Sequence, residues 1–442
     1  MTIRMDEGAA ELLDTLHRAG YAAYVVGGCV RDSLLGLTPH DWDLCTSALP
    51  QQGMELFGEE KCIPTGLQHG TVTVKQGGRL YEITTFRTEG TYTDGRHPDE
   101  VHFVPNVRED LARRDFTINA MAYNEKEGLV DPFGGQADLQ SGILRAVGVP
   151  HRRFTEDALR ILRLYRFAAR FGFSIDLPTA QAAQELCAHL DCVSVERIEE
   201  ELAKLLSAPA PAAYLDEKIL GVVLPELSPE ALAAAKPVVD ACPAGEQALP
   251  VRLAALLLSL GEDGTRRTLR RLRCSNACIE ETAVLVREAV PGVPGAFSSD
   301  TNRAIPSPAL LPAATGSHPS GRSSEKLPAR PPVSLNIYTR KLLGQYGLKT
   351  VQRLAALGTA LQPEHAADFA ALSELAERLD ADGVCCRVSQ LAVNGRDLMA
   401  AGVPAGPGIR KVLEALLDGV IREEYPNERQ ALLIAVQQLA AS

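Results

Sequence analysis

Between about residues 20 and 149, short apolar runs are separated by glycine turns, a pattern typical of strands mixed with helices. The run Tyr-Val-Val at 24–26 ends at Gly27 and Gly28, and a second apolar stretch follows at 34–35. A glycine turn between two apolar elements predicts a strand, a tight turn and the start of a helix. We expect the next strand at Asp41–Cys45.

A β-hairpin is predicted around Gly77-Gly78, because apolar and polar residues alternate on both sides of this two-residue turn. The alternation sets which residues face each other across the turn. The expected pairs are Val74 with Tyr81 and Val72 with Ile83 on a core-facing side, and Thr73 with Glu82 on a polar side.

From His151 to about Val290 the pattern changes to long helical periods rich in alanine and leucine. A Pro- and Ser-rich stretch at 291–333 lacks apolar periodicity, which predicts a linker or a disordered insertion. The remainder is again helical, with breaks expected near Asp382 and over 400–408. The predicted fold class is therefore α+β, with a mixed β-sheet and helices first and all-α segments after them.

Length and composition limit the class of protein. A chain of 442 residues predicts two to four structural units, and 45% hydrophobic with 23% charged residues is ordinary for a chain that folds in water. The 56 acidic and 45 basic residues give a net charge of -11, so any nucleic-acid site has to be a local patch. The chain shows no signal peptide or membrane-spanning segment, and its ten cysteines form no CxxC pair. We therefore expect a cytoplasmic protein with reduced thiols.

Two features near the N-terminus indicate phosphate chemistry. The glycines of the Gly27-Gly28 turn let backbone N–H groups approach an anion, and Arg31 adds a charge at the start of the helix. Asp41 and Asp43 are two residues apart in an expected strand, so both carboxylates project from one face, where paired oxygen ligands suit Mg²⁺. An isolated Asp-x-Asp pair more often marks a strand-to-loop transition, but its spacing from the glycine turn favours the metal site.

Several motifs occur together in a characteristic order. They are GGCVRDSLLG, HDWDLCTSALP, TGLQHGTVTV, YEITTFR, DGRHPDEVHF, RRDFTINAMAYN, DPFGGQADL and EDALRILRLYRFAARFGF. In these motifs the first 205 residues, approximately, resemble the class II nucleotidyltransferase superfamily, which contains CCA-adding tRNA nucleotidyltransferases and bacterial poly(A) polymerases. The C-terminal stretch LAVNGRDLMAAGVPAGPGIRKVLEALLDGV resembles the tail of CCA-adding enzymes of the Gram-positive bacterial type.

The resemblance implies a role for each matching residue. Asp41 and Asp43 would hold the catalytic Mg²⁺ ions, and Glu82 is either a third carboxylate beside them or a surface partner of Thr73. Arg114 would meet the triphosphate or the base pocket. The other residues implied in nucleotide binding are Gly27, Gly28 and Arg31 at the glycine turn, and Asp115 and Asn119 near the ribose and the neighbouring loop.

The segment EDALRILRLYRF carries the selectivity argument. Four charged residues, Asp157, Arg160, Arg163 and Arg166, stand three apart, so each neighbours the next along a helical stripe, and the apolar residues between them favour a cleft. A carboxylate accepts from the amino group of cytosine or adenine, whereas uracil and guanine present a carbonyl there. A pair of Asp157 and Arg160 would therefore admit CTP and ATP and reject UTP and GTP. The alternative is an intrahelical salt bridge with solvated arginines.

The resemblance also implies a domain division and an RNA-binding role for the helical parts. In the family, the loop at DGRHP helps switch selection from C to A, and His97 stands here where many relatives have arginine. Five arginines between Thr265 and Arg273 either follow a tRNA backbone or form a solvated face balanced by acids such as Glu280. The implied domains are a catalytic nucleotidyltransferase head at 1–145, a nucleotide-selecting neck at 146–206, an RNA-binding helical body at 207–290, the linker at 291–333 and a tRNA-binding helical tail at 334–442.

The function that follows from these expectations is template-independent addition of CCA to tRNA from CTP and ATP, with release of pyrophosphate. The alternatives within the family are a poly(A) polymerase and a partial enzyme that adds only CC or only A. An alternative of a different class is a non-catalytic RNA-binding protein on the same scaffold, which the complete set of Asp41, Asp43, Arg114 and Asp157 disfavours.

Overall fold

The structure is a computed structural model that describes residues 2–90, 100–289 and 335–441. The predicted linker at 291–333 and residues 91–99, including His97, lie outside the described residues. The chain forms two compact units. The first contains residues 1–236, 244–246 and 268–274, and the second contains 237–243, 247–267 and 275–442.

The described strands all lie in the first unit. They are β1 (Ala23–Val26), β2 (Leu44–Thr46), β3 (Cys62–Gly66), β4 (Thr71–Gln76), β5 (Arg79–Thr85), β6 (Arg87–Glu89), β7 (Val101–Phe103), β8 (Ala122–Asn124), β9 (Gly128–Val130), β10 (Ile143–Leu144) and β11 (Ser174–Ile175). Seven of them form a mixed sheet in the order β3-β4-β5-β2-β1-β8-β9, in which only β2 and β5 are parallel neighbours. β6 pairs with β7, and β10 with β11.

The hairpin of β4 and β5 has the predicted register. Val74 faces Tyr81, Val72 faces Ile83 and Thr73 faces Glu82. The four apolar members of these pairs are buried and Glu82 is exposed, as alternation across a half-buried sheet requires, whereas Thr73 on the predicted polar side is buried as well.

The predicted strand at 41–45 begins later than expected, at Leu44. Val25 is the last β1 residue paired with β2 in the register, and the chain turns away at Gly27, so residues 41 and 42 have no β1 partner to extend the ladder.

The helices carry most of the remaining chain. In the first unit they are α1 (Glu7–Arg18), α2 (Gly28–Leu34), α3 (Pro50–Phe57), α4 (Val107–Ala112), α5 (Gly135–Ser141), α6 (Pro150–Glu156), α7 (Leu159–Phe171), α8 (Leu177–Leu186), α9 (Val195–Leu206) and α10 (Glu217–Val223). Helices α11 (Pro229–Ala241) and α13 (Gly261–Arg271) contribute residues to both units. The second unit adds α12 (Leu249–Leu257), α14 (Asn276–Ala289), α15 (Leu335–Tyr346), α16 (Leu348–Leu361), α17 (Ala366–Ala381), α18 (Gly395–Ala400), α19 (Pro407–Ile421) and α20 (Arg429–Ala441).

Each unit has its own apolar core. In the first, Val26 and Tyr24 of β1 pack with Phe86, with Leu111 of α4 and with Val147. In the second, residues of α18, α19 and α20 form a separate cluster. The breaks predicted near Asp382 and over 400–408 are confirmed, because α17 ends at Ala381 and α18 and α19 are separated there. No described helix is both long and apolar enough to cross a membrane.

Candidate active site

The sheet topology brings separate segments of the first unit to one edge. β1 ends at the Gly27 turn, and β2 runs antiparallel to β1, so its start lies beside that turn: the Val26 N–H donates to the Asp43 carbonyl over 2.9 Å. β8 is also antiparallel to β1, and the Gly27 N–H donates to the Met121 carbonyl over 3.1 Å. The segment 113–119, which precedes β8, therefore reaches the same edge.

Glu82 joins this edge from the other side of β2. β5 is parallel to β2, and Ile83 lies opposite Leu44. The residues that precede these two, Glu82 and Asp43, therefore also lie side by side. Their charges interact, which places the predicted third carboxylate next to the Asp-x-Asp pair. Its part in catalysis stays a prediction.

Gly27 has a conformation that other residues rarely adopt. Its φ is 77° with ψ -123°, and a Cβ placed on it would lie 3.0 Å from Nη1 of Arg114. Gly28 has no such restriction, because the nearest side-chain atom to its Cβ position is 3.6 Å away. The backbone of the turn and the Arg114 guanidinium are therefore packed directly against each other, and of the two glycines Gly27 is the one whose backbone conformation disfavours a side chain.

Asp41 and Asp43 are exposed, and Trp42 between them is buried, so the two carboxylates lie on the same side of the extended chain. Protein atoms that surround the Asp43 carboxylate and displace water, followed by the Glu82 and Asp41 charges, raise its pKa to about 6, while the Arg114 charge lowers it. The edge thus concentrates negative charge that is only partly balanced by the protein.

Arg114 is the cation of this edge. Its Nη2 lies 3.3 Å from Oδ2 of the fully buried Asp110, and its Nε is buried without a hydrogen-bond partner among the described residues. A buried guanidinium N–H with no acceptor is unfavourable, and the Arg114 side chain as a whole is 20% exposed, so its accessible part can contact an anion at this edge. This observation fits the predicted contact with a triphosphate.

Asp115 and Asn119 form the centre of a buried hydrogen-bond network. The Asp115 carboxylate accepts from the Phe116 N–H (2.8 Å), from Nδ2 of Asn119 (3.0 Å) and from Nη2 of Arg163 (2.7 Å). The Asn119 Oδ1 in turn accepts from Nη1 of Arg31 over 2.5 Å. The two residues thus connect the glycine-turn helix α2 to helix α7, and a ribose contact remains a prediction for both.

Arg31 lies inside the protein. Only 4% of it is exposed, its guanidinium pairs with Asp32 at 2.7 Å, and it stands over the rings of Phe167 and Phe171 at 5.2 and 5.0 Å. Cation–π contacts and hydrogen bonds of this kind hold a side chain in place. The structure therefore places Arg31 where it joins α2 to α7, and its predicted contact with a nucleotide stays a prediction.

The expected continuous helical stripe is wrong at its first member. α6 ends at Glu156 and α7 begins at Leu159, and Asp157 between them is extended, with φ -146°. The reason is local: Oδ1 of Asp157 accepts the Leu159 N–H over 3.0 Å, and aspartate commonly satisfies a free N–H at the start of a helix in this way. Only the three arginines therefore share one helix.

The four charges of the stripe each have a partner outside the stripe. Arg160 pairs with Glu156 at 2.9 Å and donates to the Arg113 carbonyl. Its backbone N–H donates to the Asp157 carbonyl over 3.0 Å, but no hydrogen bond joins the two side chains in the described part of the chain. The other ion pairs are Asp157 with Arg197 at 2.8 Å, Arg163 with Asp115 at 2.7 Å, and Arg166 with Glu201 at 2.9 Å.

Sequence reasoning missed Arg197 and Glu201, which both belong to α9. They stand four residues apart and fit an ordinary pair on one helix face. The signal that was available is complementarity of sign, because a helix with one Arg and one Glu on the same face can pair with an Asp just before the start of α7 and an Arg within it.

Three families match parts of the chain. Residues 23–145 match the "Poly A polymerase head domain", 172–230 the "Probable RNA and SrmB- binding site of polymerase A", and 337–436 the "tRNA nucleotidyltransferase domain 2 putative". The CCA-adding enzyme of Lactiplantibacillus plantarum is 34% identical over 99% of this chain and 97% of its own length. That of Geobacillus thermodenitrificans is 35% identical over 96% and 95%. The chain belongs to the CCA-adding enzyme family.

The fold agrees with this membership. The crystal structure of the Bacillus stearothermophilus CCA-adding enzyme in complex with CTP superposes with a TM-score of 0.77 at 30% identity, and covers 99% of this chain and 98% of that one. The predicted family and the predicted α+β architecture are both confirmed.

Few side chains among the described residues are placed to hold a metal ion. Within residues 2–90, 100–289 and 335–441, no three His, Cys, Asp or Glu side chains are grouped as metal ligands. The candidates are the two exposed carboxylates Asp41 and Asp43, with Glu82 beside Asp43. Two hard oxygen donors that repel each other fit Mg²⁺, which is commonly held by one or two carboxylates, with water and substrate phosphates as the other ligands.

The predicted arginine-rich segment is only partly available to RNA. Arg266 pairs with Glu280, as the alternative interpretation expected, and with Glu262 at 3.0 Å. Of the rest, Arg271 pairs with Glu226 and Arg273 with Glu196. Arg267 and Arg270 are exposed and form no ion pair with the described residues, so an RNA-binding role for this segment now depends chiefly on those two.

Proposed function

We propose that this chain adds CCA to the 3′ end of tRNA without a nucleic-acid template, using CTP twice and ATP once and releasing pyrophosphate. One observation carries the proposal: exposed Asp41 and Asp43, the glycine turn and the Arg114 guanidinium meet at one edge of the sheet. Carboxylates that suit a divalent cation, next to a guanidinium that is only partly paired, are what a nucleoside triphosphate with its metal requires.

In this proposal each residue at the edge has a defined role. Asp41 and Asp43 would hold Mg²⁺, with Glu82 as a third carboxylate. Bound Mg²⁺ supplies Lewis acidity that neutralises phosphate charge and favours ionisation of the 3′-hydroxyl of tRNA. The backbone at Gly28 and the Arg114 guanidinium would bind the triphosphate. As the 3′-oxygen bonds to the α-phosphate, the bond to the β-phosphate oxygen breaks, and Arg114 stabilises the charge on the departing pyrophosphate.

The neck would select the base. Asp157 accepts from the exocyclic amino group of cytosine or adenine, and Arg160 donates to the neighbouring ring nitrogen or carbonyl. Arg163 and Arg166 would add two further guanidinium groups on the side of α7 that faces the nucleotide. UTP and GTP would place a carbonyl oxygen against the Asp157 carboxylate and be rejected.

The helical parts would bind tRNA. Arg267 and Arg270 are the candidates in the body, and the exposed Arg387, Arg396, Arg410 and Lys411 are candidates in the tail. The domain boundaries at 145, 206, 290 and 333 belong to this proposal. We also place the reaction in the cytoplasm, where tRNA and both nucleotides are available.

The test uses a tRNA that ends immediately before CCA, incubated with each labelled nucleoside triphosphate alone and with CTP and ATP together. The expected result is addition of two cytidines with CTP alone and of one adenosine only after them. A long adenosine tract from ATP alone would indicate a poly(A) polymerase, and arrest after two cytidines with both nucleotides present would indicate a CC-adding enzyme.

A further inference from the structure

Asp157, the proposed base-reading carboxylate, is held by a side chain from another helix. Nη2 of Arg197 in α9 donates to Oδ2 of Asp157 over 2.8 Å, and its Nη1 lies 3.4 Å from Oδ1. A guanidinium that contacts both oxygens of a carboxylate restricts the rotation of the carboxylate as well as its position. The Asp157 and Arg197 side chains are 15% and 23% exposed, so solvent screens this pair less than an ordinary surface pair.

The hydrogen bonds to Asp157 leave little of its acceptor capacity unused. A carboxylate offers about four lone-pair sites on its two oxygens. The Leu159 N–H and one Arg197 N–H use both sites of Oδ1, and the second Arg197 N–H uses one site of Oδ2. One acceptor site remains, and an exocyclic amino group needs one.

We propose that Arg197 is a positioning residue that determines nucleotide specificity, because it fixes the Asp157 carboxylate so that a single acceptor position faces the base. This inference rests on the proposed base-reading role of Asp157. An enzyme without a template has no base pair to reject UTP or GTP, so the selectivity depends on how rigidly the reading group is held. A freely rotating carboxylate could turn away from a uracil carbonyl, whereas a clamped one cannot.

The same helix holds the arginines of the stripe. Glu201, one turn after Arg197, pairs with Arg166 at 2.9 Å and lies 3.7 Å from Arg163, and it is 5% exposed. The apolar face of α9, with Ile198 and Leu202, is buried, which gives both side chains a rigid base. α9 therefore presents the Arg197 cation to the Asp157 carboxylate and the Glu201 anion to two arginines of the stripe.

The test compares Arg197→Met and Arg197→Lys with the wild type and with Lys204→Met. Lys204 lies on the same helix and forms an exposed pair with Glu200 at 2.5 Å, so its substitution removes the same charge away from the stripe. The readouts are kcat/KM for CTP and for UTP on the same tRNA, and kcat/KM for ATP and for GTP on tRNA ending in CC.

The expected result is a CTP-to-UTP preference reduced about tenfold in Arg197→Met, since a well-formed polar contact to a base contributes discrimination of this order. The fall in preference should come from a higher kcat/KM for UTP, with the kcat for CTP changed less. Arg197→Lys should recover part of the preference, because lysine keeps the charge but cannot form the two-point contact. Lys204→Met should keep the wild-type preference.

Asp157→Asn separates failure of this inference from failure of the proposed function. If Asp157→Asn loses discrimination while both Arg197 variants keep the wild-type preference, the positioning role of Arg197 is overturned and base reading by Asp157 stands. If Asp157→Asn also keeps the preference, base reading itself is wrong. Thermal unfolding of each variant shows whether it is folded, and Arg197→Lys provides the answer if Arg197→Met does not fold.

Discussion

At the sheet edge Asp41 and Asp43 are exposed and repel each other. Along the neck, by contrast, each of the four charges of the stripe has a partner. Partly balanced charge opposes folding and favours a ligand of opposite sign. When either partner of a paired, partly buried charge is removed, the folded protein is destabilised. The comparison therefore separates a region arranged for binding and chemistry from one arranged for fixed geometry.

The largest effect is expected at the sheet edge, for Asp43→Asn. We expect nucleotide addition to fall by about a thousandfold or more, because a metal-binding carboxylate is lost. The same change should leave the thermal midpoint in EDTA unchanged or higher. The pKa of Asp43 is raised to about 6 in the folded protein, so above that pH its ionised form opposes folding.

Single-turnover addition of labelled CMP and thermal unfolding in EDTA check both parts of this prediction. Asp14→Asn is the matched control, because Asp14 forms an exposed pair with Arg18 on α1 and should change neither quantity. A clear fall in the midpoint of Asp43→Asn would mean that this carboxylate stabilises the fold, and the contrast between the two regions would not hold.

A smaller loss is expected for Gly27→Ala. The φ of 77° is strained for alanine, and the added Cβ would press on the Arg114 guanidinium 3.0 Å away. We expect kcat/KM for CTP to fall about a hundredfold, since a displacement of about 1 Å in a positioned group has an effect of this order.

Gly20→Ala is the control for backbone strain alone. Gly20 has φ 87°, and nothing lies within 4 Å of its Cβ position. Urea unfolding should show a loss of stability of about 1–3 kcal/mol in both variants, while only Gly27→Ala loses activity. Equal loss of activity in both would show that the effect of Gly27→Ala is a matter of stability.

The sequence predicted the edge better than the neck, for a physical reason. The register of the β4–β5 hairpin and the position of Asp41 and Asp43 on one side of the chain follow from a period of two and a turn, which are local properties, although the strand itself begins only at Leu44. The break at Asp157 depends on one side-chain hydrogen bond, and the partners Arg197 and Glu201 come from a helix 40 residues or so further along the chain. Such pairs depend on how α7 and α9 pack, which periodicity alone does not contain.

The burial of Arg31 shows the same limit. At the start of a helix after a glycine turn, an arginine is a reasonable anion ligand. The rings of Phe167 and Phe171, which enclose it, lie on α7 more than a hundred residues later. A motif identifies which residues belong to a site, but the packing decides which of them touch a ligand.

The smallest of the three effects is expected for Asp115→Asn, which removes the head partner of the neck residue Arg163. Asp115 accepts hydrogen bonds from Asn119 and Arg163 and is 8% exposed. We expect the free energy of unfolding at pH 7 to fall by about 2 kcal/mol, because charged hydrogen bonds to the guanidinium are lost while Glu201 still neutralises part of the Arg163 charge. Nucleotide addition should fall by about tenfold or less.

The pH dependence identifies the cause. Burial alone would raise the pKa of Asp115, but the Arg163 guanidinium and the Asn119 amide more than offset it and leave the pKa well below the ordinary 3.8. The ionised carboxylate therefore stabilises the fold above pH 3.8, and this contribution declines as the pH falls below that value towards the pKa of the folded state. Urea unfolding should show the same difference between wild type and Asp115→Asn at pH 7 and pH 5, and a smaller one at pH 3. A difference that stays constant down to pH 3 would mean that packing, rather than charge, makes Asp115 stabilise the contact with the neck.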